Sequence, residues 1–97
     1  MILSFRNRGT ADLFNGVSSK AARAVCPTNL VRVAQRKLDM VNAADALDDL
    51  KVPPKNRLEK LTKDRAGQHA IRINDQYRVC FVWTDAGAEQ VEVTDYH

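Results

Sequence analysis

Apolar residues change their spacing about halfway along this chain, and the change separates a helical part from a stranded part. Met1 to Phe5 reads as a short apolar strand, followed by the turn-like Arg6-Asn7-Arg8-Gly9. Thr10 is placed to cap a short helix that makes its apolar contacts through Leu13 and Phe14 and stops at Gly16. Ser18-Ser19 can cap a second short helix through Ala21, Ala22 and Val25, which Pro27 must end or kink because it lacks an N–H. From Thr28 to about Ala46, Leu30, Val33, Ala34, Leu38 and Val41 recur at three- and four-residue intervals, with Arg32, Gln35, Arg36 and Asp39 elsewhere. This predicts the main amphipathic helix. Pro53-Pro54 then forces an extended connection.

Beyond the prolines the period becomes two. Arg57 to Leu61, His69 to Ile73, Tyr77 to Trp83 and Gln90 to Tyr96 are strand candidates, separated by turn-rich stretches at 62–67, 74–76 and 85–87. Four strands in succession with short connections predict an antiparallel meander. The expected architecture is a single α+β domain over residues 1–97, with the N-terminal strand and the helices packed on one face of a curved antiparallel sheet.

The loop between the two central strands decides which residues share a face. A two-residue loop would bury Arg72 among Tyr77, Val79, Phe81 and Trp83 with no evident carboxylate, which is costly. A three-residue loop, Asn74 to Gln76, sets Ile73 opposite Tyr77 and Arg72 opposite Arg78. Ile71, Ile73, Tyr77, Val79, Phe81 and Trp83 then face the helices, while Arg72, Arg78 and Cys80 share an open face. Two arginines directly opposite each other repel. An anion, above all a phosphate, would turn that repulsion into binding, because a guanidinium matches phosphate oxygens bidentately. The competing reading is that acids such as Glu92 neutralise the pair.

Charge is segregated along the chain. Residues 1–37 carry seven Lys/Arg and one acid, 38–50 four acids and no base, 51–78 eight Lys/Arg and three acids, and 79–97 four acids and no base. The two basic blocks could meet in space as one positive surface suited to a polyanion. No apolar run approaches the roughly 18 residues of a membrane span, and the start of the chain lacks a secretory apolar stretch. A cytoplasmic protein is expected, with Cys26 and Cys80 as buried thiols that serve packing.

The chain ends in Asp95-Tyr96-His97, a carboxylate, a phenol and an imidazole at the end of a predicted strand. Such groups perform acid and base chemistry near neutral pH. Tyr96 has the parity of Glu92 and Thr94 and joins the arginines. Asp95 and His97 have the parity of the core residues Val91 and Val93, and they reach the site only if the strand ends or twists near residue 95.

Together these residues resemble the RelE/ParE toxin superfamily, and within it the HigB-like plasmid-maintenance killer proteins. The resemblance rests on Met1-Ile2-Leu3-Ser4-Phe5 with Arg6 and Gly9, Asn56-Arg57-Leu58-Glu59, the stretch from Leu61 to Arg65, the hairpin from Ile71 to Arg78, and the closing tripeptide. It implies a RelE-like fold and the toxin of a type II toxin–antitoxin system: a ribosome-dependent endoribonuclease that cuts mRNA and is silenced by a HigA-like helix-turn-helix antitoxin. By this resemblance Arg72 and Arg78 hold the scissile phosphate, Tyr96 and His97 handle protons and stacking, and Asp95 orients His97. Lys60, Lys63 and Arg65 contact RNA backbone. Attack by a ribose 2′-OH requires no metal, and no cofactor is implied. Some relatives carry a histidine where Glu59 stands here, and His69 has core parity, where a hydrogen-bonded packing role is expected. Two other readings stay open: a ParE-like, non-nuclease toxin acting on DNA gyrase, and an RNA-binding domain without turnover.

Overall fold

The computed structural model describes residues 1–96; the expectation for His97 lies outside the described residues. Helix α1 spans Arg8–Phe14, α2 Lys20–Val25 and α3 Val31–Ala43. Strands β1 (Glu59–Lys60), β2 (His69–Arg72), β3 (Tyr77–Thr84) and β4 (Gly87–Asp95) follow, in the antiparallel order β1-β2-β3-β4. The meander and the α+β class are as the periodicity predicts. The N-terminal segment lies parallel to β4, through bridges from Ile2 to Ala88 and from Phe5 to Val91. It comes close at Gly87, where φ is +143° and an added Cβ would sit 2.3 Å from the carbonyl oxygen of Met1. Only glycine permits that approach.

Helix starts depart from expectation in an instructive way. Asn7, not Thr10, caps α1, its side chain accepting from the Thr10 N–H at 2.9 Å. Thr10 is fully buried, and its hydroxyl accepts from the Val93 N–H at 3.0 Å, pinning α1 to β4. A buried amide needs a partner more than an exposed helix end does, and Asn is an equally good cap. Ser19 caps α2 as predicted, accepting from the Ala22 N–H at 3.0 Å. Gly9 lets α1 and α2 touch, since a Cβ there would lie 2.4 Å from the Ala21 carbonyl oxygen.

The main helix is shorter than its apolar repeat. Thr28–Leu30 form a 3-10 turn, and α3 ends at Ala43 because the Asp49 carboxylate accepts from the Asp45 and Ala46 N–H groups, each at 3.0 Å. That side chain stabilises a second 3-10 turn, Leu47–Lys51, in place of further helix. Buried Asn56 then fastens the proline-rich connection, donating to the carbonyls of Leu50 (3.2 Å) and Val52 (3.3 Å) and accepting from the Lys37 ammonium at 2.6 Å.

The central hairpin has the predicted register, with Arg72 opposite Arg78. Its loop is held by the Asn74 side chain, which accepts from the N–H groups of Gln76 and Tyr77 at 2.9 and 2.7 Å. β4 begins earlier than expected and carries a bulge: Cys80 faces Glu92, whereas Val82 faces Glu89, so Gln90 and Val91 together oppose Phe81. Gln90 takes a φ of +51°. The extra residue brings Ala88, Val91 and Val93 to one side despite their mixed parity. They pack with Ile71, Ile73, Val79 and Phe81 against Leu13, Ala22, Ala34, Leu38 and Val41, while Tyr77 and Trp83 flank this core half-buried.

Candidate functional site

The opposite face of the sheet is not open, as its alternation implied. Leu61, Ala70 and Cys80 form a second small core there, and Tyr96 packs against it. The register sets Glu59, Ala70, Cys80 and Glu92 in one row across the four strands, and Arg72, Arg78 and Thr94 in the next. Tyr96 continues two residues beyond Thr94, and its N–H donates to the Gln76 carbonyl at 3.0 Å. It is thus a diagonal neighbour of Arg78 on the same face, a spacing of about 7–8 Å between backbones.

Cys80 marks the centre of this face. Burial, above all, pushes its thiol up to about 11; Arg65 and Arg78 pull it down, and Glu92 and Glu59 push it up. A thiol held so far above neutrality is no nucleophile. Its surroundings are the useful fact: the charges of Arg65, Arg78, Glu92 and Glu59 all act on it, and Tyr96 packs against the same small core.

Arg65 is the best anchored of these groups. It donates to Glu92 Oε1 at 2.7 Å and to Gln68 Oε1 at 3.1 Å, and Arg6 Nε stands 3.7 Å from the same Glu92 oxygen. The Glu92 hydrogen bond raises the Arg65 pKa further, against its desolvation. Glu92 is 8% exposed. A carboxylate so buried needs paired cations, and the two arginines supply them. The competing reading of the sequence holds in part and through a different acid: Glu92 pairs with Arg65 and Arg6, while Asp75 pairs with Arg72.

Arg72 and Arg78 share a register row but diverge at their tips. Arg78 donates to the carbonyls of Asn74 (2.5 Å) and Tyr77 (3.1 Å), staying at the hairpin beside Tyr96. Arg72 pairs with Asp75 and lines a cleft on the side of α3. The groove beside Tyr96, of about 470 Å³, is lined by Thr62, Lys63, Asp64, Arg65, Asp95 and Tyr96. The structure thus brings Lys63, Arg65, Asp95 and Tyr96 together in one groove, while Arg78, a diagonal neighbour of Tyr96 on the same face, keeps its guanidinium on the hairpin carbonyls and does not line the groove. It sends Arg72 elsewhere. Lys60 and Lys63 are exposed. β4 ends at Asp95, which still pairs with Tyr77 and whose carboxylate accepts from Gln76 Nε2 at 2.8 Å.

His69 stacks on Phe81, with ring centroids 6.4 Å apart and planes at 23°. Its buried Nδ1 has no hydrogen-bond partner among the described residues, unlike the bonded packing histidine that its parity suggested. Burial first, and then Lys60, lower its pKa. Sequence reasoning also missed the part played by Glu92 and the cations Arg36, Lys37, Lys55 and Arg57 around the second cleft. The segregated basic blocks were a signal for the latter; which cations meet is a tertiary property.

Comparison with known proteins adds four findings. Residues 3–97 match the family described as the RelE-like toxin of type II toxin–antitoxin system HigB. Toxin HigB-1 of Vibrio cholerae is 35% identical over 88 residues, covering 91% of this chain and 90% of that protein. An uncharacterised protein of Haemophilus influenzae is 44% identical over 55 residues, covering 57% and 54%. In the structure of a YoeB–YefM complex from Staphylococcus aureus, one chain superposes with a TM-score of 0.59 at 14% identity, covering all of this chain and 95% of that one, so the fold is shared.

Proposed function

The chain belongs to the HigB-like, RelE-like toxins of type II toxin–antitoxin systems, and from that premise we propose that it is a ribosome-dependent endoribonuclease that cuts mRNA and so stops translation. The observation that carries this reading is the open groove that gathers Lys63, Arg65, Asp95 and Tyr96, with Arg78 a diagonal neighbour of Tyr96 on the same sheet face. In the proposed reaction a ribose 2′-OH attacks the adjacent phosphorus and the 5′ oxygen leaves, so one proton is removed, one is delivered, and negative charge grows on the phosphoryl oxygens. Arg78 faces that charge, released from its loop carbonyls in exchange for phosphate oxygens. Arg65, fixed by Glu92, supplies a second positive charge that needs no reorganisation. Tyr96 stacks on a base or donates its hydroxyl, His97 carries a proton, and Asp95 orients it. Arg72 acts at the margin rather than on the scissile phosphate. Lys60 and Lys63 position the RNA backbone.

The partner of a type II toxin is its antitoxin. We assign that role to a helix-turn-helix protein of the HigA class. The test is incubation of the purified toxin with ribosomes programmed with a defined mRNA: cut message supports the reading, and intact message with inhibited gyrase supercoiling supports a ParE-like action instead.

A further inference from the structure

A second cleft, of about 330 Å³, opens on the other side of the hairpin. Its floor is Val33 and Ile73, and its walls carry five cations: Arg36 and Lys37 from α3, Lys55 and Arg57 from the proline-rich connection, and Arg72 from β2. Arg36 and Lys37 close the first basic block of the chain, and the other three belong to the second, so this is where the two blocks meet. No acidic side chain lines the cleft. Asp75 pairs with Arg72, but among the described residues none of the other four cations is in an ion pair. Lys37 shows the consequence. Partial burial, then Arg36 and Lys55, lower its pKa, and its ammonium is fixed by Asn56 at 2.6 Å. Four like charges are gathered here without an acidic partner, at a cost that an arriving anion would remove.

We propose that this cleft binds the sugar-phosphate backbone of RNA at nucleotides outside the one being cut, as an accessory site independent of base identity. The proposal rests on the reading that the substrate is RNA. Continuity favours RNA over an acidic polypeptide: Arg72 lines the cleft, Arg78 stands opposite it on the next strand, and Tyr96 of the groove is the diagonal neighbour of Arg78, so cationic positions run across the sheet from the cleft towards the groove. A strand with one charge on every nucleotide fits such a track along its length. Contacts of this kind hold register and carry no sequence information.

The experiment is fluorescence anisotropy with a labelled 20-nucleotide oligouridylate and the full-length toxin, over a salt series and without ribosomes. Lys37→Gln/Lys55→Gln should weaken binding at least tenfold at low salt. It should also reduce the slope of log affinity against log salt by about 1.4, since each neutralised phosphate of a single strand contributes about 0.7 and two cations are removed. Lys20→Gln/Arg32→Gln removes two exposed cations elsewhere and should change affinity less than twofold. If loss of the Lys37–Asn56 bond unfolds the first variant, Arg36→Gln/Lys55→Gln leaves that bond intact and should show the same flattening. Equal affinity and slope for cleft variants and wild type would overturn the proposal. So would loss of binding to an oligoglutamate peptide with RNA binding unchanged, which would make the cleft a protein-binding site. Cleavage on programmed ribosomes is scored separately, so a wild-type toxin that binds RNA but cuts nothing defeats the endoribonuclease reading and leaves the cleft decided by binding alone.

Discussion

One sheet presents two faces built on different physics. Toward the helices it buries Ile71, Val79, Phe81, Val91 and Val93 with no charged side chain among the core residues. Toward the groove it buries Ala70 and Cys80 beside a carboxylate that two arginines neutralise. The first face is held chiefly by apolar area, with the buried Thr10–Val93 hydrogen bond added, and many apolar side chains of similar volume would serve it. The second is a polar network in which each member needs its partner. On the proposed function, stability and chemistry are divided between the two sides of one set of strands, so substitutions should separate them.

The largest expected effect on stability is on the helix side. Phe81→Ala should cost about 3–5 kcal/mol, the usual penalty for emptying a buried aromatic site. Chemical denaturation measures it, and cleavage per folded molecule should be unchanged. On the groove side, Glu92→Ala leaves Arg65 and Arg6 without their shared carboxylate. It should cost about 2–3 kcal/mol, less than a fully buried pair because Arg65 remains partly solvated, and it should lower cleavage as well. Glu92→Gln keeps an acceptor for Arg65 and should recover much of the stability. A helix-side substitution that abolished cleavage without unfolding, or a Glu92 substitution that changed stability alone, would break the division.

Thr10→Val sharpens the comparison at smaller scale. It keeps the shape but orphans the buried Val93 N–H, and should cost about 1–2 kcal/mol by thermal melt with activity intact. His69 gives the smallest effect, visible as a pH dependence. Its folded pKa is lowered, so the unfolded chain binds the proton more readily. Stability is therefore lost as pH falls below about 6.5, the ordinary histidine value. His69→Gln should flatten the slope of stability against pH between about 6.5 and 5 while leaving the slope above 7 unchanged.

How far each face could be read from the sequence follows the same division. Odd-numbered apolar residues from Ile71 to Trp83 gave the hairpin register and the helix-facing core, because a strand periodicity is a local property. Thr10 was misread as a cap because its true partner, Val93, lies 83 residues away. The bulge at Gln90 has no local marker, since the residue is not glycine although its φ is positive. Arg65 was legible as a cation, but not as the partner of Glu92, 27 residues on. Arg72 and Arg78 were correctly set opposite each other; where their long side chains end is decided by Asp75, by the Asn74 and Tyr77 carbonyls and by α3. Backbone pairing follows from pattern, while the ends of flexible side chains follow from neighbours that sequence does not place.

Single-turnover cleavage of a defined mRNA on programmed ribosomes, comparing wild type with Arg78→Ala, bears most directly on the groove face as the chemical one. By analogy with the loss of one charge-stabilising donor, the variant should retain its melting temperature and cut about 10²- to 10³-fold more slowly. An Arg78→Ala protein that cuts at the wild-type rate would contradict the account.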